Sequence, residues 1–347
     1  MIRLKCYTSA MQLDLVVPDC VLPASGGMID PYRTLPLTHL PWLLGRAQAS
    51  RAPGMLLDTW LCRHFGVDTT PSAALSALAD QVGATGQTLL RADPAHLQAQ
   101  RDQLVLIDAG QLGLQQTEAN QLIAALNTHF AQHGLRFQAP APTRWYASFD
   151  APLEIETDAL ALSAGHSINQ RLPRGHDGLH LHQIANEIQM LLHMQPSNAA
   201  REAAGQPVIN SVWFWGEGAR PNVAPRHDVV WANHVVAHGL ARAAATPLHA
   251  LPASAEAVLA EGGARHLVVW DALQAPAWYG DHDTWRARLA ELDARWLGPL
   301  LDALRQGRIR QLTLHAPCTG VTWQWQLTPG ARWTFWRRPR SLKSFSA

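Results

Sequence analysis

Short apolar runs alternate with amphipathic segments along most of this chain, and that alternation restricts the fold more than any single motif does. "LDLVVP" (13–18), "DQLVLIDAG" (102–110), "TRWYASF" (143–149), "PVINSVWFWGEG" (207–218), "ARHLVVWDA" (264–272) and "IRQLTLHAP" (309–317) read as strands. Between them lie helical patterns: "TPSAALSALADQVG" (70–83), "TEANQLIAALNTHFAQHG" (117–134), "HLHQIANEIQMLLHMQ" (180–195) and a long one from 284 to 307. In the second, Leu122, Leu126 and Phe130 form one stripe and Thr117 stands where a cap belongs. This order predicts an α/β fold with a largely parallel sheet flanked by helices. A local β-β-α-β grouping over 87–164 predicts a separate α+β domain inserted into a core formed by 1–86 and 165–347.

At 347 residues, with 47% hydrophobic and 16% charged, the chain can bury a sizeable core and is not of disordered composition. The net charge of +1 gives no clear nucleic-acid signal, and no apolar stretch predicts a membrane span. The four cysteines are far apart, with no metal or redox spacing, and read as reduced thiols of a cytoplasmic protein. Tryptophan is abundant, at 14 residues. "TWQWQL", "TPGA" and "RWTFWRR" read as a hairpin turning at Pro329-Gly330, with Trp323, Trp325 and Leu327 on one face.

Three features bear on chemistry. "HDGLHLHQ" holds His176, Asp177, His180 and His182, but residues two apart on a helix point to different sides, so solvated histidines are the better reading. Asn198 and Arg201 precede the aromatic strand, and an Arg fork can hold a carboxylate or phosphate; the alternative is a helix-end ion pair. "NSVWFWGEG" places Asn210, Trp215, Gly216 and Gly218 at a strand running into a turn, which serves either a ligand or core packing. No nucleophile elbow, Walker loop or dinucleotide fingerprint is present.

"MQPSNAAREAAGQPVINSVWFWGEGARP" resembles a block of the archaeal-type cofactor-independent phosphoglycerate mutases of the alkaline phosphatase superfamily, which carry an Asn, an Arg and an Asn-x-x-Trp-x-Trp-Gly-x-Gly run in this order. "TPSAALSALA", "RADPAHLQAQRDQLVLIDAGQL", "EANQLIAALNTHF", "TRWYASF" and "LDARWLGPLLDAL" resemble further blocks along most of the chain. The resemblance implies an alkaline phosphatase-like core with an inserted α+β domain. It also implies that Asn198, Arg201, Asn210, Trp215, Gly216, Gly218 and Arg144 are ligand-binding candidates.

The departures from the family carry equal weight. Such mutases use a serine nucleophile and two divalent metals. Within "LDTWLCRHFGVD", Asp58, Thr59, Gly66 and Asp68 match, but Leu57 stands at the serine position. In "QAPAWYGD", Gly280 and Asp281 match, while Gln274 and Trp278 replace an Asp and a His. In "HAPCT", His315 and Ala316 stand where Asp and His belong. Asp19 occupies the first metal carboxylate position; Asp19, Asp58 and Asp281 are residual metal-site candidates. The expectation is a catalytically degenerate relative with no metal or cofactor, acting on an unknown small anion or protein partner, in a regulatory role. The alternative is an active mutase or other phosphotransfer enzyme with a rearranged site, Thr59 or Ser72 serving as nucleophile.

Overall fold

The computed structural model describes residues 10–23, 30–33, 35–83, 86–334 and 336–346. Among these, twelve strands run in the order β1 (Met11–Val16), β2 (Gln48–Pro53), β3 (Thr88–Gln100), β4 (Gln103–Asp108), β5 (Leu135–Ala141), β6 (Arg144–Phe149), β7 (Ser211–Trp215), β8 (Val229–Trp231), β9 (Leu248–His249), β10 (Arg265–Val269), β11 (Ile309–Ala316) and β12 (Val321–Leu327). The chain divides into two compact units, Met1–Gly66 with Val223–Ala347, and Val67–Asn222.

The first unit is built on a seven-stranded sheet of order β2-β12-β11-β1-β10-β8-β9. The five strands from β11 to β9 are parallel, and β12 and β2 add an antiparallel edge. β1 lies at the centre, paired with β10 on one side and β11 on the other, and its apolar run is that of a strand buried on both faces. Asp14 breaks that run. Helical residues 282–305 supply Trp285, Leu289, Leu292, Trp296, Leu297, Leu300 and Leu301 to the same core as Leu13 and Leu15. The helix His39–Arg46 has no side-chain cap of its own. The Asp293 carboxylate supplies one, accepting from the backbone N–H groups of Thr38, His39 and Leu40 at 2.6 to 3.1 Å.

The second unit holds β4-β3-β6-β5, with β7 paired to β3. The helices Gln116–His129 and Gly178–His193 cover this sheet through Leu122, Leu126, Ile184, Ile188 and Leu192. The segment 87–164 lies within this unit, which also takes in the helix Ser72–Asp80, the helix Gly178–His193 and β7.

The hairpin expected at Pro329-Gly330 does not form. Residues Pro329–Trp333 are a short 3-10 turn, and β12 instead pairs with β11 and β2. β2, "QASRAP", is exposed throughout and has no apolar alternation, so its pairing is invisible to a period-two pattern. Trp323 and Trp325 do share a face, with ring centroids 5.9 Å apart. Cys20, Cys62 and Cys318 are free and buried, burial pushes the Cys20 and Cys62 thiols up to about 12, and Cys6 lies outside the described residues. No helix among the described residues is long and apolar enough to cross a membrane.

Candidate functional site

The loop after β1 carries Asp19 beyond the C-terminal end of the central parallel strand, where open α/β sheets place their ligands. Asp19 has a φ of 54°, its N–H donates to the Pro317 carbonyl at 3.0 Å, and its carbonyl accepts from the Trp285 indole at 3.0 Å. The loop is therefore fixed from two sides. The polar side chains of Gln274 and Trp278 stand beside the Asp19 carboxyl. Both are neutral. Burial dominates, and it pushes the Asp19 carboxyl up to about 7. Gln274 is itself buried.

Leu57 opens the helix Leu57–His64 and is 3% exposed, packed in the apolar interior. Asp58 pairs with His234 at 3.4 Å. Asp281 is exposed and caps the helix His282–Leu292, its Oδ1 accepting from Thr284 N–H at 3.0 Å. The structure thus gives the three residual carboxylates separate jobs: a buried loop acid, a histidine partner and a helix cap.

A second group of titratable side chains lies on one face of the same sheet. Asp14 on β1 accepts from His315 Nε2 on β11 at 2.9 Å, and its other oxygen is 3.5 Å from His227 Nε2. His64 closes the helix Leu57–His64, and its Nε2 is 3.2 Å from that of His227. Trp60, one turn earlier, stacks on His64 at 4.4 Å and leans on His315 at 4.7 Å. Burial, and then the neighbouring His227 and His315, push the His64 imidazole down to about 3, so it is neutral at neutral pH. Burial would raise Asp14, but hydrogen bonds from His227 and His315 outweigh it and hold the carboxylate well below its usual range. His227 Nδ1 is buried without a hydrogen-bond partner among the described residues. A cleft of about 270 Å³ opens over this group, lined by Trp60, His64, His315, Arg51 and Arg63 among others.

Sequence reading missed Asp14, His64 and His227, and saw His315 only as a departure. The one available signal was a carboxylate inside an otherwise apolar strand, since a buried charge demands partners. The partners come from residues 50 to 301 positions away and leave no local pattern.

In the second unit the expected ligand residues are engaged with the chain itself. Asn198, 3% exposed, donates to the Leu192 and Ile209 carbonyls at 2.8 and 2.7 Å and accepts from Ile209 N–H at 2.8 Å. Arg201, 3% exposed, donates to the Pro207 and Leu112 carbonyls and to Glu118 at 3.0 Å. Asn210 clamps both backbone groups of Leu97. The Trp215 indole donates to Asp93 at 2.8 Å, and Asp93 is held by the Arg91 fork. Arg144 forks onto Asp80 at 2.6 and 2.7 Å. Gly216 and Gly218, at φ of 81° and 131°, bring the turn against Ala73, Ser72 and Pro71 at the start of the helix Ser72–Asp80. Among the described residues, each of these candidates except Gly218 has a hydrogen bond that serves the folded chain.

No known protein-family profile matches this chain. Part of it is 29% identical over 106 residues to the 2,3-bisphosphoglycerate-independent phosphoglycerate mutase of Methanosarcina mazei, 30% of this chain and 27% of that protein. The corresponding protein of Methanosarcina acetivorans is 27% identical over 165 residues, 45% of this chain and 40% of that protein. That of Methanothrix thermoacetophila is 34% identical over 65 residues, 19% of this chain and 17% of that protein. The matches therefore span less than half the length of these curated relatives. The fold aligns with the PH0037 protein from Pyrococcus horikoshii at a TM-score of 0.60 and 14% identity, over 95% of this chain and 90% of that one. A mixed α/β fold with a mostly parallel, helix-flanked sheet, joined to these partial sequence matches, makes the chain similar to the archaeal-type cofactor-independent phosphoglycerate mutases.

Proposed function

We propose that this protein is a catalytically degenerate relative of the phosphoglycerate mutase-like proteins, and that it works by binding a small anionic ligand rather than by turning one over. The observation that carries the reading is the environment of Asp19. At the positions the resemblance assigns to two metal ligands, the neutral side chains of Gln274 and Trp278 stand beside its carboxyl. A divalent ion beside a carboxylate would hold it ionised; two neutral side chains leave burial in control. The residues present do not fit a pair of hard divalent ions, because one carboxyl, an amide, an indole and an alanine cannot supply their donor set. Leu57 adds to this, since a buried aliphatic side chain offers no lone pair to phosphorus. Phosphoryl transfer depends on several placed charges, and Gln274, Trp278 and Ala316 add none beside Asp19.

An anion needs cationic groups that the fold has not already used. Arg51 and Arg63 line the 270 Å³ cleft and form no ion pair among the described residues, whereas Arg201 and Arg144 are bound to Glu118 and Asp80. The ligand is a small phosphorylated or carboxylated metabolite, and the role is regulatory. Thermal melting with 3-phosphoglycerate and with inorganic phosphate tests this. The expected result is a concentration-dependent rise in Tm that is lost in the Arg51→Ala, Arg63→Ala double variant. A flat response to both anions in the parent protein removes the binding role.

A further inference from the structure

The Asp14 group has a geometry that the degenerate loop lacks, and that geometry holds whatever the chemistry of Asp19. His64 Nε2 and His227 Nε2 are 3.2 Å apart, His227 Nε2 is 3.5 Å from Asp14 Oδ2, and the ligand atoms of the three residues all lie within 4.8 Å of one another. A zinc ion with bonds of roughly 2.0–2.1 Å has tetrahedral ligand edges of roughly 3.3–3.4 Å. The two observed edges match that spacing. Two imidazole nitrogens this close with no ion between them must share one proton, and the carboxylate beside them only accepts.

We propose that Asp14, His64 and His227 hold one borderline divalent cation of the zinc class. The donor set selects it: two imidazoles and one carboxylate suit zinc or cobalt, while magnesium and calcium take oxygen ligands. His315 is a positioning residue. Its Nε2–H donates to Asp14 Oδ1 and so leaves Oδ2 directed at the histidines, which is how a metal-bound carboxylate is normally oriented by a neighbour. Trp60 packs on both His64 and His315 and fixes their ring planes. Three protein ligands leave one coordination position for water or an incoming anion, the arrangement of a zinc site that is not purely structural. His64 and His315 also line the cleft that Arg51 and Arg63 border, so an anion held there lies over the ion.

None of the three proposed ligands stands at a position where the resemblance puts a metal ligand; only His315, the positioning residue, does. Asp14 lies five residues before Asp19 inside the strand, His64 and His227 fall outside the metal motifs, and His315 replaces an aspartate.

The test uses the full chain, stripped with a chelator and reloaded with zinc or cobalt alone, with magnesium as control. The expected result is one zinc per chain, a rise in Tm with zinc but not magnesium, and the intense visible absorption of four-coordinate cobalt. His64→Phe keeps a ring over Trp60 and removes the ligating nitrogen, so it should lower zinc affinity at least about hundredfold, more than loss of a hydrogen-bonding neighbour alone does. His227→Ala should do the same, and His315→Gln should weaken binding by roughly tenfold. Asp19→Asn should leave zinc binding unchanged. Should His227→Ala fail to fold, His64→Phe at the cleft carries the test. The proposal is overturned by a parent protein that retains no zinc, by zinc binding that His64→Phe leaves intact, or by zinc lost in Asp19→Asn instead; the last result would also overturn the degenerate-loop reading, which the first two leave standing.

Discussion

Asp19 shows how burial beside neutral side chains changes the chemistry of a carboxyl. Its carboxyl is pushed up to about 7 by burial, against an ordinary value near 3.8. The folded state therefore binds a proton that the unfolded state has released across that interval. Stability attributable to Asp19 is fully present below pH 4, falls as pH rises toward 7, and is flat above. The loss is on the order of 4 kcal/mol for a shift of this size. Asp19→Asn mimics the protonated acid, so melting curves of the parent and variant should coincide near pH 4 and diverge upward, with the variant the more stable at pH 8. A variant that melts lower at pH 8 would mean that the ionised carboxylate has a cationic partner. Arg201 makes the opposite point. Sequence spacing offered it as an anion ligand, but its guanidinium is buried among two carbonyls and Glu118. Arg201→Ala should cost about 3 kcal/mol in denaturant unfolding, by stranding those partners, and leave anion affinity unchanged. A stable variant with weakened anion binding would restore the ligand reading.

Elements were legible in proportion to their periodicity. β1, β4, β6, β10 and β11 stood out as apolar runs, and the helices Gln116–His129 and Gly178–His193 as amphipathic stripes, because in each the burial pattern is written into consecutive residues. β2 escaped because an exposed edge strand needs no apolar face, and without it the partner of β12 was misassigned. β7 was readable as a strand, with both faces buried, but its pairing with β3 was not, since register depends on residues more than a hundred positions away. The turn after β7 packs closely on the chain. Gly216 sits at φ 81° with its missing Cβ 3.0 Å from Ala73 N and 3.1 Å from Ser72 Cβ, while Gly205 sits at φ 69° in open space. Alanine at either position carries the left-handed cost of about 1–2 kcal/mol. Only Gly216→Ala must also move the helix Ser72–Asp80, so it should melt below Gly205→Ala. Equal losses would show that the close approach carries no energy.

At the scale of the whole molecule, the fold class was readable from alternation. The Asp14 group was not, because it is assembled by topology: adjacent parallel strands bring Asp14 beside His315, and the helix Leu57–His64 with the approach to β8 deliver the other two rings. The Asp19 loop is held by Pro317 and Trp285, and the Gln274 and Trp278 side chains beside its carboxyl are neutral. We propose that this frame lacks the charge that phosphoryl transfer needs. The measurement that tests it most directly is conversion of 3-phosphoglycerate to 2-phosphoglycerate by the full chain with manganese, followed to completion at high protein concentration. The expected result is no 2-phosphoglycerate above the uncatalysed background, with or without metal. Conversion that depends on manganese and disappears in both Asp19→Asn and Thr59→Ala would contradict it.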